Sequence, residues 1–232
     1  MYARGNGDYC VDIVMCIDAT GSMSSIIDEV KNNAMTLYTK FVDEMERHSK
    51  YVDALRVKII AFRDFICDSH PMVESRFFDL PSQSSDLRHF LDGIEAIGGG
   101  DGPECSLEAI SVALNSDWTL DGRKRRHIIV VFSDAPAMPI GERAGCRNYP
   151  DDIPSDMREL SSRWEGTDQM YYGTYQRASG RLICFVPNDP SWNQLQSWNR
   201  SSIMYTAAKG CGDVEMQGII SAVVGSIKSM RE

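Results

Sequence analysis

The sequence lacks the features of a secreted or membrane-spanning chain. It has no run of about 18 apolar residues, the length that crosses a bilayer. Its first ten residues, MYARGNGDYC, have no apolar stretch of the kind found in a signal peptide. Its seven cysteines include no C-x-x-C pair, and its four histidines do not have zinc-ligand spacing. We therefore expect a cytoplasmic protein with reduced cysteines and without a zinc site.

The sequence is also short of positive charge, with 24 lysines and arginines against 33 aspartates and glutamates and a formal net charge of −9. Binding to nucleic acid or to an anionic membrane requires a basic surface, so we expect neither as a partner. The length of 232 residues suits one α/β domain with a full core. We expect a single domain over residues 1–232, with its core at about 8–230.

Strand and helix patterns alternate along the sequence. Nearly continuous apolar runs, typical of parallel strands covered on both faces, occur at about 10–18, 55–65, 126–132 and 181–187. Apolar residues at helical spacing predict helices, the longest at about 23–48 and the last at about 213–230. We predict a doubly wound, mostly parallel six-stranded sheet with helices on both faces and one antiparallel edge strand at 72–79. Ligands of such sheets bind at the carboxyl ends of the strands.

Polar residues follow the first apolar run at its carboxyl end. The run stops at Asp18, and two hydroxyl residues follow at alternate positions, Thr20 and Ser22. One carboxylate and two hydroxyls are hard oxygen ligands that suit Mg²⁺ or Mn²⁺, with Ca²⁺ as a further candidate. The alternative is a simple strand end at which Ser22 caps the next helix.

Two further segments place carboxylates on the same side of the predicted sheet. The loop GGGDGPE at 98–104 has three glycines that permit close backbone approach, and it would deliver Asp101 to an ion. The alternative is a flexible connector before a helix that starts at Pro103. Asp134 follows another buried strand, and Asp64 ends the second strand either as a turn residue or as an outer residue of the site.

The three segments DATGS, GGGD and FSDAP resemble, in this order, the von Willebrand factor type A domain. Its metal-ion-dependent adhesion site (MIDAS) uses D-x-S-x-S after the first strand, a Thr from a Gly-rich second loop and an Asp after the fourth strand. The resemblance implies that Thr20 and Ser22 bind the ion directly and that Asp18 and Asp134 lie beside it, often through water. Asp101 stands where the family usually has Thr. A third carboxylate predicts tighter ion binding and weaker attraction of an acidic partner group.

The resemblance implies a non-enzymatic protein-interaction module whose ion site consists of Asp18, Thr20, Ser22, Asp101 and Asp134. An Asp or Glu side chain of a protein partner would complete the coordination shell. The sequence looks closest to stand-alone intracellular members, including bacterial ones encoded beside kinase- and phosphatase-like proteins, and to the module attached to certain α-kinases. Such kinase- or phosphatase-like proteins are therefore candidate partners.

The alternative function is that of a metal-dependent phosphohydrolase or phosphotransferase with Asp18 as its nucleophile. The haloacid-dehalogenase pattern requires a second Asp two residues later, where this sequence has Thr20. No His or Lys is visibly placed as a general base.

Two segments leave their roles open. The basic run at 123–126 is either a solvated loop opposite the ion site or a docking patch. The stretch at 137–179 is an insertion whose aromatic residues, such as Trp164 and Tyr175, either form a partner surface or cover the edge of the sheet.

Overall fold

A computed structural model describes residues 9–66, 68–98, 102–168, 173–206 and 215–228, without the side chain of residue 228. The strands are β1 (Tyr9–Asp18), β2 (Val52–Phe62), β3 (Met72–Glu74), β4 (Phe78–Leu80), β5 (Lys124–Phe132), β6 (Gly180–Val186) and β7 (Ser201–Tyr205). The α-helices are α1 (Ser24–Asn33), α2 (Leu37–Glu46), α3 (Ser84–Asp92), α4 (Ser106–Leu114), α5 (Met157–Trp164) and α6 (Met216–Lys228). Short 3-10 helices cover Gly21–Met23, Arg177–Ser179 and Pro190–Ser197.

The strands form one sheet in the order β3-β2-β1-β5-β6-β7, with β4 also paired to β2. Neighbouring strands among β2, β1, β5, β6 and β7 are parallel, while β3 and β4 run antiparallel to β2. All ten residues of β1 are buried, as expected for a central strand covered on both faces. The predicted doubly wound, mostly parallel fold is therefore confirmed.

The antiparallel edge differs from the prediction because it consists of two short strands instead of one, which gives seven strands. The break lies at Ser75, whose Oγ accepts a hydrogen bond from the Ile59 N–H (2.9 Å) and donates one to the Arg76 carbonyl (2.7 Å). A side-chain oxygen thus replaces a backbone carbonyl of the ladder at this point, and regular pairing stops.

Helices cover both faces of the sheet, as expected for strands that are apolar nearly throughout. One apolar cluster joins α1, α2, α3 and α6 to one face of the sheet, and a second joins α4 and α5 to the other face. The helix predicted over 23–48 is two helices with a turn between them. Asn33 ends α1 where its side-chain amide donates to the Glu29 carbonyl (2.8 Å) and competes with the helical backbone.

The insertion at 137–179 contributes apolar side chains to the second face. Trp164 stacks on Trp198 with ring centroids 5.4 Å apart and contacts Tyr175 at the same distance. Both Trp164 and Tyr175 are buried, so these two aromatics cover the sheet. Tyr171 and Tyr172 lie outside the described residues. No helix in the described ranges has the length and hydropathy needed to span a bilayer.

Candidate metal site

Asp18 organises the carboxyl end of β1 through hydrogen bonds. Its Oδ1 accepts from the backbone N–H of Thr20 (3.0 Å) and from Thr20 Oγ1 (2.7 Å), and its Oδ2 accepts from Ser133 Oγ (2.8 Å). Its side chain is inaccessible to solvent. Burial raises the pKa of Asp18, and its hydrogen bonds with Thr20 and Ser133 partly oppose that rise. Asp18 therefore holds the first and third predicted segments together.

Two hydroxyls follow Asp18 at the start of the next helix. Thr20 Oγ1 lies 3.5 Å from Ser22 Oγ. Thr20 is buried, whereas Ser22 is exposed. The alternative in which Ser22 caps α1 does not occur, because the cap position belongs to Met23 and no side chain caps this helix. The hydroxyl of Ser22 is thus on the surface, next to that of Thr20.

The third segment brings Ser133 and Asp134 to the same edge. Ser133 also accepts a hydrogen bond from the Ala135 N–H (3.2 Å), which shapes the turn after β5. The half-buried Asp134 carries a negative charge that further raises the pKa of Asp18, so the two carboxylates lie within electrostatic reach of each other. The sequence pattern identified Asp134 but not Ser133, although Ser133 stands beside it in the FSDAP motif.

The second loop contacts the first through its backbone. The Ile97 N–H donates to the Ala19 carbonyl (3.2 Å), and the Gly21 N–H donates to the Gly98 carbonyl (3.3 Å). Gly98 has a φ of +73°, and a Cβ atom there would overlap Asp68 Oδ1, so this position requires glycine. Asp101, with the two preceding glycines, lies outside the described residues, and its role as a ligand stays a prediction.

Arg63 joins the loops at this edge, a role that the sequence patterns did not indicate. Its buried guanidinium donates to four backbone carbonyls that belong to three separate loops. The acceptors are Ala19 (3.0 Å), Ile97 (3.2 Å), His70 (3.1 Å) and Glu95 (2.5 Å). The two loops that carry the predicted ion ligands are therefore held in a fixed relation by one side chain.

Glu104 is a further carboxylate at this edge, and only 3% of its surface is exposed. Its N–H donates to the Pro136 carbonyl (3.0 Å), and its carbonyl accepts from the Met138 N–H (2.9 Å). Burial raises the pKa of Glu104 to about 8, and the negative charges of neighbouring carboxylates contribute, among them Asp18 and Asp134. Within the described part of the chain, Glu104 Oε2 has no hydrogen-bond partner. The only sequence signal for Glu104 is its place directly after GGGDGP.

Asp64 is engaged in an ion pair beside the candidate site. Its two oxygens accept from Arg143 Nε and Nη2, each at 2.9 Å, and Oδ1 also accepts from the Ile66 N–H (2.9 Å). Burial alone would raise the pKa of Asp64, but the hydrogen bonds from Arg143 and Ile66 lower it. Asp64 thus anchors the insertion to the end of β2, and it is more than a turn residue.

The oxygen atoms at this edge suit a hard divalent cation. Within the described ranges, no three acidic, His or Cys side chains are already arranged to hold a metal ion. The donors present are the hydroxyls of Thr20 and Ser22 with the carboxylates of Asp18, Asp134 and Glu104. Hydroxyl and carboxylate oxygens are preferred by Mg²⁺ and Mn²⁺, and the buried Glu104 Oε2, which has no hydrogen-bond partner among the described residues, is a further oxygen that could bind such an ion. The chemistry of these residues therefore fits the ion that the motif implies.

Comparisons with known proteins found a family model and relatives that are similar to this chain. A family model described as the von Willebrand factor A domain matches residues 12–140. The α-protein kinase vwkA of Dictyostelium discoideum is 22% identical over 186 residues, which cover 76% of this chain and 27% of the relative. A putative ariadne-like RING finger protein of Acanthamoeba polyphaga mimivirus is 30% identical over 130 residues, 54% of this chain and 11% of that protein. The chain thus spans only a minor part of either relative.

Two solved structures share the fold at low sequence identity. The pilus adhesin SpaC from Lactobacillus rhamnosus GG, in its open conformation, aligns with a TM-score of 0.54 at 11% identity over 96% of this chain and 30% of the adhesin. A von Willebrand factor type A protein from Catenulispora acidiphila aligns with a TM-score of 0.51 at 9% identity over 94% of this chain and 43% of that protein. At such identities the likeness concerns the fold alone.

Proposed function

The chain belongs to the von Willebrand factor A domain family, and from this premise we propose that it is a metal-ion-dependent protein-binding module. Domains of this family often bind proteins through a MIDAS. The observation that carries the proposal is the hydrogen bonding of Asp18, which ties Thr20 to Ser133 and so joins two of the three predicted segments at one point.

The residues would divide the work as follows. Thr20 and Ser22 would contact a Mg²⁺ or Mn²⁺ ion directly through their hydroxyls, while Asp18 and Asp134 would supply negative charge beside it. Asp101 is a further proposed ligand. The bound ion would offer an open coordination position to an Asp or Glu oxygen of a protein partner. Arg63 would keep the first and second loops in place, because its guanidinium hydrogen-bonds to both of them.

We further propose a cytoplasmic location and a kinase- or phosphatase-like partner. Free thiols at all five described cysteines support a reducing compartment. The name of the Dictyostelium relative, an α-protein kinase, supports a link to kinases. The enzyme alternative is disfavoured because both oxygens of Asp18 accept hydrogen bonds and its side chain has no exposed surface, which leaves no route for attack on a substrate.

The test is Mn²⁺ binding to the wild type and to Ser22→Ala, measured by isothermal titration calorimetry. The control is Ser24→Ala, which removes an equally exposed hydroxyl two residues later in the same segment. We expect Ser22→Ala to lower the affinity for Mn²⁺ about 10-fold or more, and Ser24→Ala to bind Mn²⁺ with the affinity of the wild type. Equal affinities in all three proteins would contradict the proposed site.

The partner is tested by affinity capture from lysate in Mg²⁺ and in EDTA. We expect a protein that is retained by wild type and by Ser24→Ala only in Mg²⁺, and that Ser22→Ala does not retain. A partner held equally well in EDTA would show that binding does not use the ion.

A further inference from the structure

We infer that Glu104, which directly follows the second loop, is a further carboxylate that contacts the bound ion, in addition to the residues of the motif. The inference rests on the proposed function, because it adds a residue to the same ion site. It is carried by the burial of Glu104, by its backbone attachment to the segment after Asp134, and by an oxygen without a partner.

The unpartnered oxygen is the first part of the evidence. Only 3% of the surface of Glu104 is exposed. In the described part of the chain, nothing donates a hydrogen bond to its Oε2. Buried carboxylates in proteins are normally paired, hydrogen-bonded or bound to metal, because an isolated buried charge is strongly unfavourable. A bound cation would give this carboxyl group the partner that it lacks in the metal-free protein.

The backbone attachment of Glu104 is the second part of the evidence. Two hydrogen bonds join Glu104 to Pro136 and Met138, in a parallel bridge with the segment that follows Asp134. Glu104 is thus attached to the third segment of the site, although it belongs to the second. This attachment holds the backbone of Glu104 in place without any help from a bound ion.

The surrounding charges give the reason for a cation in particular. Asp18, Asp64, Asp68 and Asp134 all disfavour a negative charge on Glu104. The nearby guanidinium of Arg143 forms its bidentate pair with Asp64, and that of Arg63 donates to four carbonyls. A divalent ion bound beside Glu104 would offset the repulsion that the negative charges of Asp18 and Asp134 exert on it.

Glu108 offers a matched control within the same region. It is also fully buried and also has an unpartnered Oε2. Its Oε1, however, accepts from the Gly141 N–H (3.2 Å) and from the Tyr149 hydroxyl (3.1 Å), both in the insertion. A buried glutamate that hydrogen-bonds to the insertion is therefore available as a control one turn after the glutamate that we assign to the ion.

The experiment measures Mn²⁺ affinity by calorimetry for Glu104→Gln, Glu108→Gln, Asp101→Asn and Ser22→Ala. We expect Glu104→Gln to lower the affinity for Mn²⁺ about 10- to 100-fold. The affinity of Glu108→Gln should lie within about twofold of that of the wild type. If Ser22→Ala lowers the affinity for Mn²⁺ but Glu104→Gln does not, the inference about Glu104 is overturned while the proposed function stands. If the wild type itself binds no Mn²⁺, both are overturned.

A second measurement uses the wild type and so does not depend on how the variants fold. Crystals grown with Mn²⁺ locate the ion by its anomalous signal. We expect a Glu104 oxygen in direct contact with the ion, together with the hydroxyls of Thr20 and Ser22. An ion held by those hydroxyls and by Asp101, with Glu104 turned away, would overturn the inference.

Discussion

The two ends of the parallel strands carry different clusters of like charge, and these clusters differ in how their charges are paired. The carboxyl end carries the acidic cluster of Asp18, Asp64, Asp68, Glu104 and Asp134, which lies around the candidate ion site. The amino end carries a basic cluster around the ring of Tyr9. The cationic groups within about 5 Å of the ring centroid are Lys50 at 5.0 Å, Lys124 at 5.3 Å and Arg126 at 5.0 Å.

The three cations of the basic cluster interact with groups of the protein itself. Lys50 Nζ donates to the Tyr9 hydroxyl (2.8 Å), and the three cations lie against the face of an aromatic ring. The buried Arg181 donates to the Ser226 carbonyl (3.0 Å) near the end of α6, where the helix dipole favours a positive charge. Burial and the neighbouring Arg126 and Arg200 lower the pKa of Arg181 to about 10.

The acidic cluster differs because part of its charge has no such counterpart. Asp64 is paired with Arg143, and Asp18 is hydrogen-bonded, but Glu104 keeps an oxygen without a partner among the described residues. The comparison teaches that a cluster of like charges indicates a ligand only where the fold leaves the charge unpaired. The basic run at 123–126 contributes Lys124 and Arg126 to the basic cluster, and its role there is structural. Its last three residues begin β5 and are half-buried, so they do not form a solvated loop, which was one of the two alternatives for this run.

Asp12 and Asp18 allow this comparison to be tested within one strand. Both lie in β1 and are buried, but Asp12 is near the amino end and pairs with Arg56 at 2.8 and 2.6 Å. We expect Asp12→Ala to lower the free energy of unfolding by about 3 kcal/mol, because it leaves the Arg56 charge and the Thr119 N–H without their acceptor. Urea denaturation measures the loss. Mn²⁺ affinity should not change, and a large drop in that affinity would show that the two ends are not independent.

Asp18→Ala should have a smaller effect on stability and a larger effect on function. Thr20 and Ser133 would lose the acceptor of three hydrogen bonds, but the removal of a buried carboxylate offsets part of that loss. We expect the free energy of unfolding to fall by about 2 kcal/mol and Mn²⁺ binding to be lost in calorimetry. Retention of wild-type Mn²⁺ affinity would contradict the place of Asp18 in the ion site.

The sequence predicted those parts of the site that depend on local pattern. Asp18, Thr20, Ser22 and Asp134 were found because each follows an apolar strand, and parallel strands end at a common edge. The apolar runs likewise predicted the central strands. What could not be predicted depends on tertiary contacts. The four carbonyls bound by Arg63 come from loops far apart in the chain.

The same limit applies to the burial of Glu104 and to the breaks within predicted elements. Glu104 is buried because its backbone bonds to residues 136–138, more than 30 positions later, and no local pattern indicates that contact. The helix break at Asn33 and the strand break at Ser75 arise from side chains that hydrogen-bond to the backbone. Such competition is a weak signal in sequence, because the same residues also occur within regular elements.

The last expected effect is the pH dependence of stability that Glu104 contributes in the metal-free protein. Its pKa rises from 4.5 to about 8 on folding, so the folded state binds the proton more tightly than the unfolded chain does. Stability should therefore be greatest at low pH and should fall as pH rises towards 8. In EDTA, we expect Glu104→Gln to lack this slope and to gain about 3 kcal/mol relative to wild type between pH 5 and pH 8.

Urea denaturation at several pH values measures this difference. Glu46→Gln makes the same chemical change at an exposed glutamate at the end of α2 and should keep the slope of the wild type. If Glu104→Gln and Glu46→Gln follow the same curve, the charge of Glu104 is compensated in the folded protein. The acidic end would then resemble the basic end, and the contrast between them would lose its strongest support.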